Sequence, residues 1–136
     1  MLPFEFVVDG PPVSQQTKNK KNLQRWKVEV RKEAENSWFS GNLPIAEPIK
    51  FSVIYFYSVD AADIDNIAKP MQDALQGLAY FDDKQVTDLL GRKRDLNNLR
   101  VGSVPGILAE GLGRGNPFLY VRIEEASVQE VFDLWT

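Results

Sequence analysis

The alternation of apolar and polar positions predicts four strands along this chain. Phe4 to Val8 alternates, and the Asp-Gly-Pro-Pro sequence that follows it ends the pattern. Ile49 to Tyr57 is apolar on much of both of its faces, which favours a central position in a sheet. Phe118 to Glu124 predicts a last strand, and Val86 to Leu96 is a weaker strand candidate.

Helical spacing appears between these strands. Leu23 to Phe39 carries an apolar residue near every fourth position, as an amphipathic helix does. A second helix is predicted over 66–76, with Gly77 near its C-terminal end. Val128 to Trp135 has the pattern of a short amphipathic helix. Gly102 to Asn116 predicts a long glycine-rich connection that ends in a mobile hairpin loop, because no strand-to-helix context supports a phosphate-binding loop there.

These elements predict an α/β (α+β) fold, with a small mixed β-sheet of about four strands flanked by helices in a single domain over 1–136. A chain of this length can bury one ordinary hydrophobic core. No apolar run approaches the ~20 residues of a membrane helix, and the N-terminus lacks the basic region of a secretory leader. We therefore expect a cytoplasmic protein without a membrane partner. The sequence leaves open whether the acidic C-terminal end at 109–136 is ordered or mobile.

The sequence contains no cysteine and no histidine. These absences exclude disulfides, thiol catalysis, the usual zinc sites and every catalytic triad that depends on histidine. Any chemistry must use carboxylates, Lys, Arg, Tyr, hydroxyl groups or a metal-bound water.

The net charge of −3 hides a strong segregation of charge. Residues 1–100 balance acid against base, and the excess acid lies in 101–136. Two basic groups stand out: the first is Lys18, Lys20, Lys21, Arg25, Lys27, Arg31 and Lys32, and the second is Arg92, Lys93 and Arg94. The first group fits the footprint of a polyanion, and charge alone favours a solvated helix face equally well.

Aspartates concentrate in the segment from Asp63 to Gln85. Seven of the ten aspartates lie between positions 60 and 88. If the chain is extended from Asp63 to Asp65, both carboxylates face the same way. The predicted helix then runs about 16 Å and six extended residues return about 20 Å, so Asp83, with Asp82 beside it, can come back to the same place. Oxygen ligands without imidazole or thiolate favour Mg²⁺ or Mn²⁺.

Lys69 follows Asp65 by one helical turn and can stabilise charge on a metal-bound phosphate. Pro70 predicts an irregular first turn, because it lacks an N–H for the carbonyl of Asn66. Purely structural roles for the same residues stay open beside these catalytic ones. Asp65 or Asn66 can serve as a helix N-cap, and Asp65 can form a surface ion pair with Lys69. Asp82 and Asp83 can belong to a simple turn, and Asp73 can lie on the helix surface or hold Lys69.

The run D-I-D-N-x-x-K-P-x-x-D-A-L-x-G-x-x-Y-x-D-D-x-Q, from Asp63 to Gln85, resembles the signature of the RusA family of Holliday junction resolvases, often carried by phages. A looser likeness covers most of 4–124. The resemblance implies a homodimer that nicks four-way DNA junctions with Mg²⁺. It implies that Asp63, Asp65 and Asp83 are catalytic and bind the metal, that Asp82 is an auxiliary metal ligand, and that Lys69 is the catalytic lysine.

We therefore predict a Mg²⁺-dependent (Mn²⁺ as an option) endodeoxyribonuclease of bacterial or phage origin. It is expected to act as a homodimer, to resolve Holliday junctions by paired nicks in DNA recombination and repair, and to need no organic cofactor. The residues predicted to contact DNA are Lys18, Lys20, Lys21, Arg25, Lys27, Arg92, Lys93 and Arg94. Two alternatives are a branched-DNA-binding protein that does not cut and a metal-dependent phosphatase or nucleotide hydrolase.

Overall fold

Among the residues that the structure describes, the chain forms a four-stranded sheet and three α-helices. The computed structural model describes residues 2–38, 41–59 and 62–126. Within them the elements are β1 (Phe4–Asp9), α1 (Lys20–Ser37), β2 (Ile49–Tyr57), α2 (Ile64–Leu75), a 3₁₀ helix (Asp83–Gln85), β3 (Val86–Asp95), α3 (Gly106–Arg114) and β4 (Phe118–Glu125). The helix predicted over Val128 to Trp135 lies outside the described residues.

The strands lie in the order β1-β4-β2-β3. β2 pairs in parallel with β3 and antiparallel with β4, and β1 pairs antiparallel with β4. The prediction of a small mixed sheet with β2 in its interior is confirmed. β3 is an edge strand, and α2 is the crossover that connects β2 to it.

The main hydrophobic core lies between one face of the sheet and helices α1 and α2. Trp26 and Val30 of α1 meet Ile67 and Met71 of α2 above the buried Phe51 of β2. The apolar spacing predicted both helices, and Trp26 of α1 and Trp38 at its C-cap are core residues. α1 begins at Lys20, earlier than the apolar pattern indicated, because the side chain of Asn19 caps it by accepting from the N–H of Asn22 at 3.0 Å.

The prediction of a glycine-rich connection over Gly102 to Asn116 is wrong, because most of it forms α3. Leu108 packs with Phe118 in a second apolar cluster on the opposite face of the sheet. Gly111 lets the helix approach closely, since a Cβ there would lie 2.5 Å from the ring of Phe118. The glycine therefore serves packing rather than a mobile loop, and Gly115 ends the helix in the left-handed conformation.

Within the described residues, no helix has the length and apolar character needed to cross a membrane.

Candidate active site

Asp63 and Asp65 lie at the start of α2, directly after β2. Asp63 is the N-cap residue, although its side chain makes no capping hydrogen bond, and Asp65 lies in the first helical turn. The expectations of an extended Asp63–Asp65 segment and of an N-cap at Asp65 or Asn66 are therefore wrong, because the helix begins at Ile64. Both carboxylates are exposed, and the positive end of the helix dipole favours negative charge at this place.

Pro70 links α2 to the loop that precedes α1. The helix runs through Pro70 without interruption, so the predicted irregular first turn is not observed. Proline leaves the carbonyl of Asn66 without its usual helical partner. The backbone N–H of Gln15 donates to that carbonyl instead, at 2.9 Å. This bond fixes the loop that leads to Lys18, Lys20 and Lys21 beside the beginning of α2.

A tightly bonded turn presents Asp83 on the other side of α2. The side chain of Asp82 caps the 3₁₀ helix by accepting from the N–H of Lys84 at 2.8 Å. The Gln85 side chain accepts from the backbone of Phe81 and Asp82 and donates to the carbonyl of Ile45 at 2.6 Å. The predicted turn at Asp82 and Asp83 is confirmed, and Gln85 attaches it to the segment before β2.

The tyrosine of the motif has a structural place. Tyr80 is fully buried, and its hydroxyl donates to the carbonyl of Gln72 at 2.7 Å. Burial, with help from the charge of Asp83, raises the pKa of this phenol well above its usual range. Tyr80 therefore stays neutral and anchors the return segment to α2.

Lys69 is the centre of a network of charged side chains. Its Nζ lies 2.6 Å from Asp83 Oδ2 and 2.9 Å from Asp73 Oδ1. Asp73 also pairs with Lys27 of α1 at 3.5 Å, and the Gln76 side chain donates to the second oxygen of Asp83. Hydrogen bonds to Asp83 and then to Asp73 raise the pKa of Lys69, so its amine is protonated at neutral pH.

These contacts decide among the structural alternatives for the motif. Asp73 holds Lys69, which confirms one of its two predicted roles. In the parts of the chain that the structure describes, the surface pair between Asp65 and Lys69 is not formed. The side chain of Lys69 points toward Asp83 of the 3₁₀ turn instead.

The donor chemistry fits a hard divalent cation, because the candidate ligands offer only carboxylate oxygens. Across residues 2–38, 41–59 and 62–126, however, no three acidic side chains form a group that could hold a metal. Both oxygens of Asp83 are engaged, by Lys69 and by Gln76. The structure thus brings Asp83 to Lys69 and Asp73 without assembling it with Asp63 and Asp65, and the metal-binding roles of Asp63, Asp65, Asp82 and Asp83 stay predictions.

The first basic group divides between solvent and α2. Lys18, Lys20, Lys21 and Arg25 are exposed. Lys27 is half-buried in its pair with Asp73, so the interpretation of the group as a solvated helix face is wrong for this residue. The cause is α2, which packs on this side of α1 and supplies acidic and carbonyl oxygens. Arg31 also points toward α2, where its guanidinium group donates to the carbonyls of Ala74 and Gln76 at the C-terminal end of the helix.

The second basic group does not form one patch, because β3 alternates. Lys93 points toward α2, where its Nζ donates to the carbonyl of Ala62 at 2.9 Å and lies over the ring of Tyr57. Arg92 and Arg94 lie on the opposite face and line a groove beside α3. The two faces of one edge strand therefore both carry positive charge.

Sequence reasoning missed the glutamines that hold this site. The side chain of Gln76 donates to Asp83 and that of Gln85 fixes the 3₁₀ turn, whereas Gln15 bonds to α2 through its backbone N–H. Gln85 follows Asp82 by three residues, which is the spacing of a capping box and was a usable signal. Gln15 and Gln76 act through contacts that depend on the tertiary fold, and no local pattern marks them.

Two comparisons with known proteins bear on this arrangement. A family model described as "Endodeoxyribonuclease RusA" matches residues 10–102, which include α1, β2, α2 and β3. The chain is also similar to a protein of Lactococcus phage r1t named crossover junction endodeoxyribonuclease rusA. The two are 28% identical over 116 residues, and the match covers 66% of this chain and 86% of the phage protein.

Proposed function

Because this chain belongs to the RusA family of endodeoxyribonucleases, we propose that it resolves Holliday junctions by paired nicks in recombination and repair. The observation that carries the proposal is the family match over the segment that holds Asp63, Asp65, Lys69 and Asp83. The 2.6 Å contact between Lys69 and Asp83 supports it, since residues far apart in the chain share one site. The family match favours a nuclease over a phosphatase or a DNA-binding protein that does not cut.

Asp63, Asp65 and Asp83 would hold Mg²⁺, or Mn²⁺ in its place, with Asp82 as an auxiliary ligand. When bound, such an ion polarises the phosphate and activates a water. The ammonium group of Lys69 lies 2.6 Å from Asp83 Oδ2, at one of the oxygens that would hold the ion. A cation at Asp83 therefore competes with the ammonium group of Lys69, and assembly of the three carboxylates requires that this contact changes.

Lys69 is the catalytic lysine of the proposal. Its ammonium group would act by stabilising the negative charge that develops on the phosphate. Asp73 is a positioning residue, because it holds the ammonium group from the next turn of α2. Gln76 is a second positioning residue, since it orients the carboxylate of Asp83.

The exposed lysines before and within α1 would contact the DNA backbone next to this site. The bond between Gln15 and Asn66 keeps Lys18, Lys20 and Lys21 near the start of α2. Backbone contacts of this kind position DNA without reading its sequence. A homodimer would present two equal sites to opposed strands, because its two-fold axis matches the symmetry of a four-way junction. Such DNA would be met in the cytoplasm of a bacterium.

A single gel tests the proposal. A labelled four-way junction and a linear duplex of matched sequence are incubated with increasing Mg²⁺, and wild type is compared with Asp65→Asn and Lys69→Ala. We expect paired nicks in the junction with wild type alone, and none in EDTA. Equal cutting by the variants would remove the assigned residues from the site. Binding without nicking at any Mg²⁺ concentration would instead favour a junction-binding protein.

A further inference from the structure

The second face of the sheet carries an open groove that the candidate active site does not use. It lies between the end of the β2–β3 pair, the connection from β3 to α3, and α3 itself. Its volume is about 520 Å³, within the ~300–1,000 Å³ range of pockets that hold small organic ligands. The lining residues used here are Arg92, Arg94, Arg100, Phe56, Leu99 and Leu108.

The rim of the groove carries positive charge that the described parts of the chain do not neutralise. Arg92, Arg94 and Arg100 are exposed, and within 2–38, 41–59 and 62–126 none of them pairs with a carboxylate. Other arginines of the chain do form such pairs, as Arg114 does with Asp9 at 3.6 Å. Arg94 donates to the carbonyl of Lys93 at 2.9 Å. Three guanidinium groups at one opening, none with a carboxylate partner among the described residues, attract an anion with several acceptor oxygens.

The floor of the groove is apolar. Phe56 stacks on Phe118 at the base, with ring centroids 4.6 Å apart, and Leu108 closes the side toward α3. Leu99 lines the groove, is only partly buried, and packs against the same apolar cluster. A cationic rim above an apolar floor matches a nucleotide, whose phosphate is anionic and whose base has a flat apolar face.

We propose that this groove receives one unpaired or unstacked nucleotide of the DNA substrate, with its phosphate on the arginine rim and its base on the apolar floor. The inference rests on the proposed function, which supplies the branched DNA. A base at a branch point loses one of its stacking neighbours, and the apolar floor of the groove would take that neighbour's place. The position of the groove agrees with this. Lys93 faces the active-site side of β3 while Arg92 and Arg94 face the groove, so a strand that passes this sheet edge meets positive charge on both faces.

Fluorescence anisotropy with single-stranded probes tests the groove without the nuclease reaction. A labelled thymidine octamer and an abasic octamer of the same length are titrated in EDTA, over a range of salt concentrations. The proteins are wild type, the double variant Arg94→Ala/Arg100→Ala, the floor variant Leu99→Ser, and Arg114→Ala. Arg114 is the matched control, because it is an exposed arginine of α3 that pairs with Asp9 away from the groove.

We expect wild type and Arg114→Ala to bind the thymidine octamer several-fold more tightly than the abasic octamer. The double arginine variant should weaken both probes about tenfold and reduce the salt slope by about 0.7, since the loss of the one phosphate contact on the rim removes about that much. Leu99→Ser should abolish the preference for the thymidine probe and leave the salt slope unchanged. The arginine double variant keeps the test valid if Leu99→Ser fails to fold.

Three results would overturn the proposal. These are equal binding of both octamers by wild type, unchanged affinity in the arginine double variant with an unchanged sedimentation coefficient, or unchanged affinity in that variant with a changed sedimentation coefficient. The last result would make the groove a contact between copies of the chain. Junction nicking in Mg²⁺ is scored separately. Absent nicking with normal octamer binding refutes the proposed function alone, and normal nicking without a base preference refutes the groove alone.

Discussion

Replacing Lys69 by methionine should strengthen metal binding while it stops nicking. The side chain of Lys69 now holds Asp83 Oδ2 at 2.6 Å, where a metal would need the same oxygen. Methionine keeps a similar length and removes the charge, so Asp83 loses its internal competitor. Nicking should fall by ~10²–10³-fold, as when another preorganised charge-stabilising group is removed from an active site.

The expected gain in metal affinity is small and can be worked from the exposure of the pair. Lys69 and Asp83 keep 45% and 35% of their side-chain surface in contact with solvent. Ion pairs with this much solvent screening contribute at most about 1 kcal/mol. If that contribution opposes metal binding, its loss lowers the dissociation constant by about fivefold.

Isothermal titration with Mn²⁺ measures the dissociation constant of wild type and Lys69→Met without DNA. Lys84→Met is the matched control, because this exposed lysine lies next to Asp83 and forms no ion pair among the described residues. The control should bind Mn²⁺ as wild type does. Equal or weaker Mn²⁺ binding by Lys69→Met would refute the idea that the ammonium group and the metal compete for Asp83.

Three further predictions concern packing, the 3₁₀ turn and pH. Gly111→Ala should destabilise the protein by about 1–3 kcal/mol in urea unfolding, because its Cβ would press on the ring of Phe118, whereas Gly113→Ala, which meets nothing within 4 Å, should not destabilise it. Gln85→Ala should lower stability by about 0.5–1.5 kcal/mol and reduce nicking, since the partly buried carbonyl of Ile45 loses its hydrogen bond and the 3₁₀ turn loses its attachment; full nicking activity would contradict this. Burial and then the bond to Glu5 raise the pKa of Tyr120 to about 12, so stability should fall as pH rises from 10 to 12, and Tyr120→Phe should lose less stability over that range.

Hydrophobic periodicity predicted most of the strands and helices. The prediction failed where tertiary packing outweighed the local composition. The strands around β2 and the stripes of α1 and α2 follow directly from burial of one face. The segment of α3 contains four glycines between 106 and 115, which locally favour a loop. Its helix is stabilised by the second apolar cluster, and Gly111 is required there by contact with Phe118. That contact cannot be seen in the local sequence.

The motif identified the residues of the candidate site better than their arrangement. The return of Asp83 toward α2 is consistent with chain length, and Lys69 does reach it. The extended geometry assumed for Asp63 and Asp65 fails because the helix starts one residue after Asp63. The partners of Asp83 depend on side-chain rotamers of Lys69 and Gln76, which residue spacing does not determine.

Diffraction from crystals grown with Mn²⁺ tests the central claim most directly, because anomalous scattering locates the ion independently of any assumed geometry. The account predicts a peak bound by carboxylate oxygens of Asp63, Asp65 and Asp83, from one chain or across two copies, with Lys69 displaced from Asp83. A Mn²⁺ peak at any other place would contradict it. So would a bound Mn²⁺ that leaves the contact between Lys69 and Asp83 intact and does not contact Asp63 or Asp65.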